Sequence, residues 1–127
     1  MARLGCIDVG LKRIGLAFCL KSDIVIPQEA ILRQNRDQAA RDVSKVLDEW
    51  SVETLIVGLP GGGSSSEEMG RRIRHFVSLL SFSGEVLYME EYGSSAEAKE
   101  RMQGITKQKR DGKVDSLAAV IILERWL

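Results

Sequence analysis

Asp8-Val9-Gly10-Leu11-Lys12-Arg13-Ile14-Gly15-Leu16-Ala17 is the stretch on which the fold turns. It closes a short apolar run, so Asp8 ends a strand whose neighbours favour burial. Taking a carboxylate out of water costs free energy unless a partner or a metal compensates. Two glycines let the backbone turn tightly, Lys12 and Arg13 bring positive charge to the same edge, and an apolar run leads back. An acid, a tight turn and a return strand frame a place for a metal or a phosphate. Far downstream, Glu90 and Glu91 end another apolar run and Asp115 opens an apolar helix. Three separated acids, each at the end of an element, point to a divalent-metal site.

Outward from that stretch, Leu4 to Val9 reads as a first strand, with Leu4, Cys6 and Asp8 on one face by the period of two. Arg13 to Leu20 reads as its antiparallel partner. Ile24 to Leu32 is apolar and β-branched, and Pro27 within it suits an edge strand or a bulge. Asn35 can cap a helix in which Ala39, Val43, Val46, Leu47 and Trp50 recur on one face. Thr54 to Leu59 is the continuous apolar run of a central strand covered on both sides. Pro60 and the glycines after it break the chain. Ser64 with Glu67 then offers a capping box for a helix buried along Met69, Ile73, Phe76, Val77 and Leu80. His75 falls off that stripe and reads as a surface residue. Glu85 to Glu91 is a further strand, and Ser94 with Glu97 opens a third helix. Gly104 to Gly112 is a polar, basic loop, and Val114 to Leu127 a final helix, apolar nearly all round.

Residues 1–127 thus form one α/β domain, with no internal repeat and no linker. The expected architecture is a mixed five-stranded sheet, three antiparallel strands followed by two parallel crossover strands, with helices on both faces.

Composition narrows the function classes. A chain of 127 residues buries roughly two-thirds of its unfolded surface. No apolar run approaches the ~20 residues that span a bilayer. The acidic Asp8 interrupts any basic-then-apolar leader pattern, so a cytoplasmic protein is expected. Cys6 and Cys19 lie in the two strands of the first hairpin. A disulfide across it strains the required geometry, and both read as small buried hydrophobes. A single histidine, His75, argues against a zinc finger and against Ser-His or Cys-His nucleophilic catalysis. The 18 basic and 18 acidic residues cancel, so positive charge is local rather than general. It gathers at Arg71, Arg72 and Arg74, and again at Lys107, Lys109, Arg110 and Lys113.

The element order and the acids together resemble the ribonuclease H-like superfamily. More closely, the chain is similar to the YqgF/RuvX family, bacterial relatives of the RuvC Holliday-junction resolvases. The family's opening pattern, Asp-x-Gly-x-Lys-Arg-Ile-Gly-x-Ala, matches Asp8 to Ala17. A strand ending Val-Gly-Leu-Pro matches Val57 to Pro60, and Val-Asp-Ser-x-Ala-Ala matches Val114 to Ala119. The remaining signature departs. Where the family usually carries Asp-Glu-Arg, the chain reads Glu90-Glu91-Tyr92.

The resemblance implies Asp8, Glu91 and Asp115 as metal-binding and catalytic acids. It also implies a nuclease that matures the 5′ end of the precursor to 16S ribosomal RNA. Two divalent ions ~4 Å apart would serve attacking and leaving oxygens, and Mg²⁺ or Mn²⁺ suits carboxylate ligands. The rivals are a Holliday-junction resolvase and a non-catalytic RNA-binding or transcription-processing factor. The expected partner is nucleic acid, either structured RNA or branched DNA, met by Lys12, Arg13 and the two basic clusters. No membrane partner is expected, and the chain reads as a monomer or weak homodimer.

Overall fold

The computed structural model describes residues 3–20, 24–61, 64–91 and 116–127, with the backbone alone at positions 64, 65 and 91. Strands β1 (Leu4–Val9), β2 (Arg13–Cys19) and β3 (Val25–Leu32) come first, followed by helix α1 (Arg36–Glu49). Then come β4 (Thr54–Pro60), α2 (Ser64–Ser78), β5 (Glu85–Glu91) and α3 (Leu117–Trp126). The strands form one sheet in the order β3-β2-β1-β4-β5. β1 pairs antiparallel with β2 and parallel with β4, and β4 pairs parallel with β5. This is the mixed sheet expected from the sequence. The helix expected from Ser94 and the loop from Gly104 lie outside the described residues.

Strand alternation divides the side chains between two layers. Ile7, Val9, Leu16, Phe18, Leu55 and Val57 meet α1 and α2 on one face. Cys6, Ala17, Cys19 and Ile56 meet α3 on the other. β1 and β4 are buried on both faces because every residue from Leu55 to Leu59, and nearly all of β1, is small or apolar. α1 starts as expected at Asn35. Its side chain accepts from the Gln38 backbone while the Gln38 side chain reaches back to the cap, a reciprocal capping box. Trp50 closes α1 by stacking on Phe18, with ring centroids 4.8 Å apart.

Cys6 stands opposite Ala17, and Cys19 opposite Leu4, so the two thiols do not face each other across the hairpin. Both are buried and free of any disulfide. β3 is both the edge strand and the bulged one that Pro27 suggests. Its register with β2 shifts between the Ile14 and Leu16 rungs, leaving an extra β3 residue opposite Gly15. α3 runs from Leu117 with Ser116 at its cap, and Val114, where hydrophobicity sets the expected start, lies outside the described residues. Residues Ala118 to Leu123 are all buried, in keeping with a helix that is apolar nearly all round.

Candidate active site at the end of the central strand

Asp8 is the penultimate residue of β1, the middle strand of the sheet. It is half-buried, between the buried Ile7 and Val9. Alternation gives it the Cys6 face, the side that α3 covers. The turn after it is drawn tight because the Gly10 amide donates to the Arg13 carbonyl at 3.0 Å. A Cβ on Gly10 would stand 2.6 Å from that carbonyl oxygen, so the site admits glycine without backbone movement and no other residue. Lys12 and Arg13 are exposed on this turn.

Across the sheet, Ile7 pairs with Val57, which places Gly58 beside Asp8 on the same face. A glycine there puts no side chain between Asp8 and β5, although its backbone is buried. On β5, Glu90 lies on the opposite face, in a cleft under α2 with Arg71, Arg74, Glu67 and Pro60. Met89 packs on the α3 side, so by alternation position 91 belongs to the α3 side as well. Of the two neighbouring glutamates, the register therefore gives position 91 to the Asp8 face and Glu90 to the other. Two strand spacings, roughly 10 Å, separate β1 from β5.

Ser116 is a residue whose role the sequence conceals. It is the buried polar side chain of the described core, with no exposed surface. Although it caps α3, its hydroxyl makes no capping bond to its own helix. Instead it accepts from the Leu16 amide at 3.0 Å and donates to the Gln28 carbonyl. Leu16 and Gln28 are the β2–β3 pair at the register shift, so the hydroxyl bridges two strands where the ladder is interrupted. Leu16 also pairs with Ile7, the residue before Asp8. The start of α3 is thereby fastened to the sheet next to Asp8. No short-range pattern signals this, since the partners lie 88 and 100 residues away.

The expected acid set is only partly within view. Asp115 lies outside the described residues, as does the side chain of Glu91. Among the described residues no group of three potential metal ligands forms. Of the expected acids, Asp8 is the one whose side chain is described. Asp8 offers carboxylate oxygens at a strand end, and Gly58 beside it carries no side chain.

The basic residues separate by location. Arg71, Arg72 and Arg74 are exposed on α2, on the side of the sheet away from α3. Arg72 pairs with Glu68 at 3.0 Å, and the Arg74 guanidinium lies 4.3 Å from the centre of the Tyr88 ring. His75 is exposed, as expected, and borders a cleft with Arg71 and Arg72. Lys107, Lys109, Arg110 and Lys113 lie outside the described residues. No helix of the described residues is long and apolar enough to cross a membrane.

Comparison with known proteins fits this geometry. The fold resembles that of T. thermophilus RuvC in complex with a Holliday junction, with a TM-score of 0.58 and 16% identity, covering 98% of this chain and 92% of that one. It also resembles the fowlpox virus Holliday junction resolvase, with a TM-score of 0.55 and 12% identity over 98% and 99% of the chains. These likenesses establish the RuvC-type ribonuclease H fold. At the level of sequence, a protein of Sulfurovum sp. (strain NBC37-1) named "Putative pre-16S rRNA nuclease" is 64% identical over 98% of both chains. Relatives with the same name from Sulfurimonas denitrificans and Helicobacter pylori are 54% and 45% identical, over 95% and 97% of this chain and 93% and 92% of theirs. A model of the RuvX family, described as Holliday junction resolvase, matches residues 2–127. On that full-length match the chain belongs to the RuvX family.

Proposed function

We propose that this protein is a metal-dependent nuclease that hydrolyses phosphodiester bonds in the precursor of 16S ribosomal RNA. The observation that carries the reading is the 64% identity, over 98% of both chains, to a relative named "Putative pre-16S rRNA nuclease". The position of Asp8 supports it from the side of the chemistry. A half-buried carboxylate at the end of the central strand, between buried aliphatic residues, is poorly explained as a solvated surface charge.

Three acids meet at this edge in the proposed arrangement. Asp8 comes from β1, and Glu91 from the α3 face of β5 by strand alternation. Asp115 directly precedes Ser116 in the sequence. Bound Mg²⁺ or Mn²⁺ would supply charge stabilisation for the phosphate and a more acidic attacking water. The chain's own residues do the placing. Gly10 keeps the turn close to the strand end, and Ser116 fixes the helix that follows the third acid.

Incubation of the purified protein with precursor 16S RNA and with a four-way DNA junction, each with Mn²⁺, tests the reading. The expected result is cleavage of the RNA at a discrete site and an intact junction. Symmetric cutting of the junction by a dimeric protein, with the RNA intact, would make it a resolvase, since two symmetric cuts require two-fold symmetry. Tight RNA binding without any cleavage would make it a non-catalytic processing factor.

A further inference from the structure

The acid site uses the α3 side of the sheet and leaves a basic cleft on the other side without a role. This cleft, of about 390 Å³, lies at the same end of β1 as Asp8. Its floor includes Val9, Gly10 and Ile73, and its rim carries Arg33, Arg36, Arg71 and Arg72. Four guanidinium groups thus converge from the segment after β3, the start of α1 and the length of α2. Among the described residues no carboxylate lines the cleft. In a chain of zero net charge, this concentration is a local arrangement and not a reflection of general basicity.

Two of the four are engaged in ways that leave their charge available. Arg33 donates to the Gly10 carbonyl at 3.0 Å, and its guanidinium lies 5.5 Å from the Phe76 ring centre, so it is held in place beside the turn that follows Asp8. Arg72 pairs with Glu68, but both side chains are about 60% exposed, where such pairs contribute little. Arg36 and Arg71 are exposed and have no ion pair among the described residues. Arg74, one turn along from Arg71, lies on a second cleft that contains Glu67 and Glu90 and that Arg71 also borders.

Like charges gathered with only exposed, partial counter-charge repel one another, and a bound anion lowers that cost. Guanidinium groups match phosphate oxygens with paired hydrogen bonds. The cleft volume lies within the ~300–1,000 Å³ range of small-ligand sites, enough for a phosphate with its sugar. We propose that this cleft is a phosphate-binding site, and that its ligand is the RNA backbone as the strand passes around the β1–β2 turn from the acid site. Gly10 belongs to both places, closing the turn after Asp8 and forming the cleft floor. The proposal deepens the RNA reading, and because binding is measured without cleavage the two can fail separately.

The test uses the full chain in EDTA, so that no phosphodiester is cut. Affinity for a precursor 16S RNA fragment is measured at several salt concentrations for the native protein and for Arg36→Ser/Arg71→Ser. Both positions are exposed, and an unchanged melting temperature verifies the fold. The expected result is weaker binding, with the slope of log affinity against log salt shallower by about 0.7 for each single-strand phosphate that the two arginines neutralise. In parallel, inorganic phosphate is titrated while the amide resonances of Gly10 and Leu11 are followed. Shifts that vanish in the double variant, together with weakened RNA binding, support the proposal. Phosphate-induced shifts with unchanged RNA affinity and slope would overturn the RNA assignment and leave a free-anion site. Unchanged affinity, slope and resonances would overturn the cleft as a binding site altogether.

Discussion

Asp8 and Ser116 meet neighbouring rungs of the sheet, and each is exceptional for its surroundings. Asp8 is a charge between buried aliphatics, and Ser116 a hydroxyl with no exposed surface. Asp8 is legible in the sequence because its flanks are apolar and the next residues form a turn. Ser116 is not, because its partners are brought together only by the folded sheet. Ser116→Ala would strand the Leu16 amide and the Gln28 carbonyl, each costing about 1–3 kcal/mol if left unsatisfied. Chemical denaturation should therefore show a loss of that order, and cleavage should fall further than the folded fraction does. If stability drops while cleavage per folded molecule is unchanged, the tether serves packing alone. Gly10→Ala makes a companion prediction. With a Cβ 2.6 Å from the Arg13 carbonyl oxygen, the turn must open, and the melting temperature should drop. A variant as stable as the native protein would show that the turn can relax freely.

Among the elements, the first hairpin, the two buried strands β1 and β4 and the three described helices follow from periodicity and capping residues. The alternation of β5 decides a question that its local sequence leaves open. Glu90 and Glu91 are neighbours of identical chemistry, and only the packing of Met89 and the α2-side cleft separates their faces. Glu91→Gln should accordingly abolish cleavage, whereas Glu90→Gln should leave most of it, as measured by single-turnover assays. The reverse order would put the acid site on the α2 side. The β3 bulge is foreshadowed by Pro27, yet its location opposite Gly15 depends on pairing between distant segments. The end of α1 offers a test of backbone energetics. Ser51 has a φ of 53°, in the left-handed region where glycine carries no Cβ penalty. Ser51→Gly should raise stability by up to about 1 kcal/mol, as the αL penalty of an L-residue is of order 1–2 kcal/mol. A destabilised variant would mean that the serine side chain outweighs that penalty.

At the scale of the molecule, the sheet acts as a partition. Its α3 side carries Asp8 and the face of position 91, while its other side carries the arginine cleft, and both open at one end of β1. The family and fold are legible because three short motifs occur in order along the chain and each falls at the end of an element. The cleft is not, since Arg33 and Arg36 are separated from Arg71 and Arg72 by helix α1 and strand β4. Arg71, Arg72 and Arg74 form one cluster in the sequence because they are adjacent there, but the structure sets Arg72 on one cleft, Arg74 on another and Arg71 on the border of both. The metals proposed for the acid site also have a whole-molecule consequence. The metal-free protein should be folded and should take up Mn²⁺ weakly, with paramagnetic broadening centred on Asp8, Glu91 and Asp115. Broadening confined to other surface acids would remove the metal assignment.

If Asp8 is the pivot of a nuclease site, then Asp8→Asn is the most direct test of the whole arrangement. The substitution keeps the shape of the side chain and removes its charge. Cleavage of precursor 16S RNA in Mn²⁺ is compared between native and variant protein, with melting temperatures recorded in metal-free buffer. Cleavage should be abolished while the fold persists, with a cooperative melting transition retained in metal-free buffer. Full cleavage by a correctly folded Asp8→Asn protein would contradict the central role given to this carboxylate.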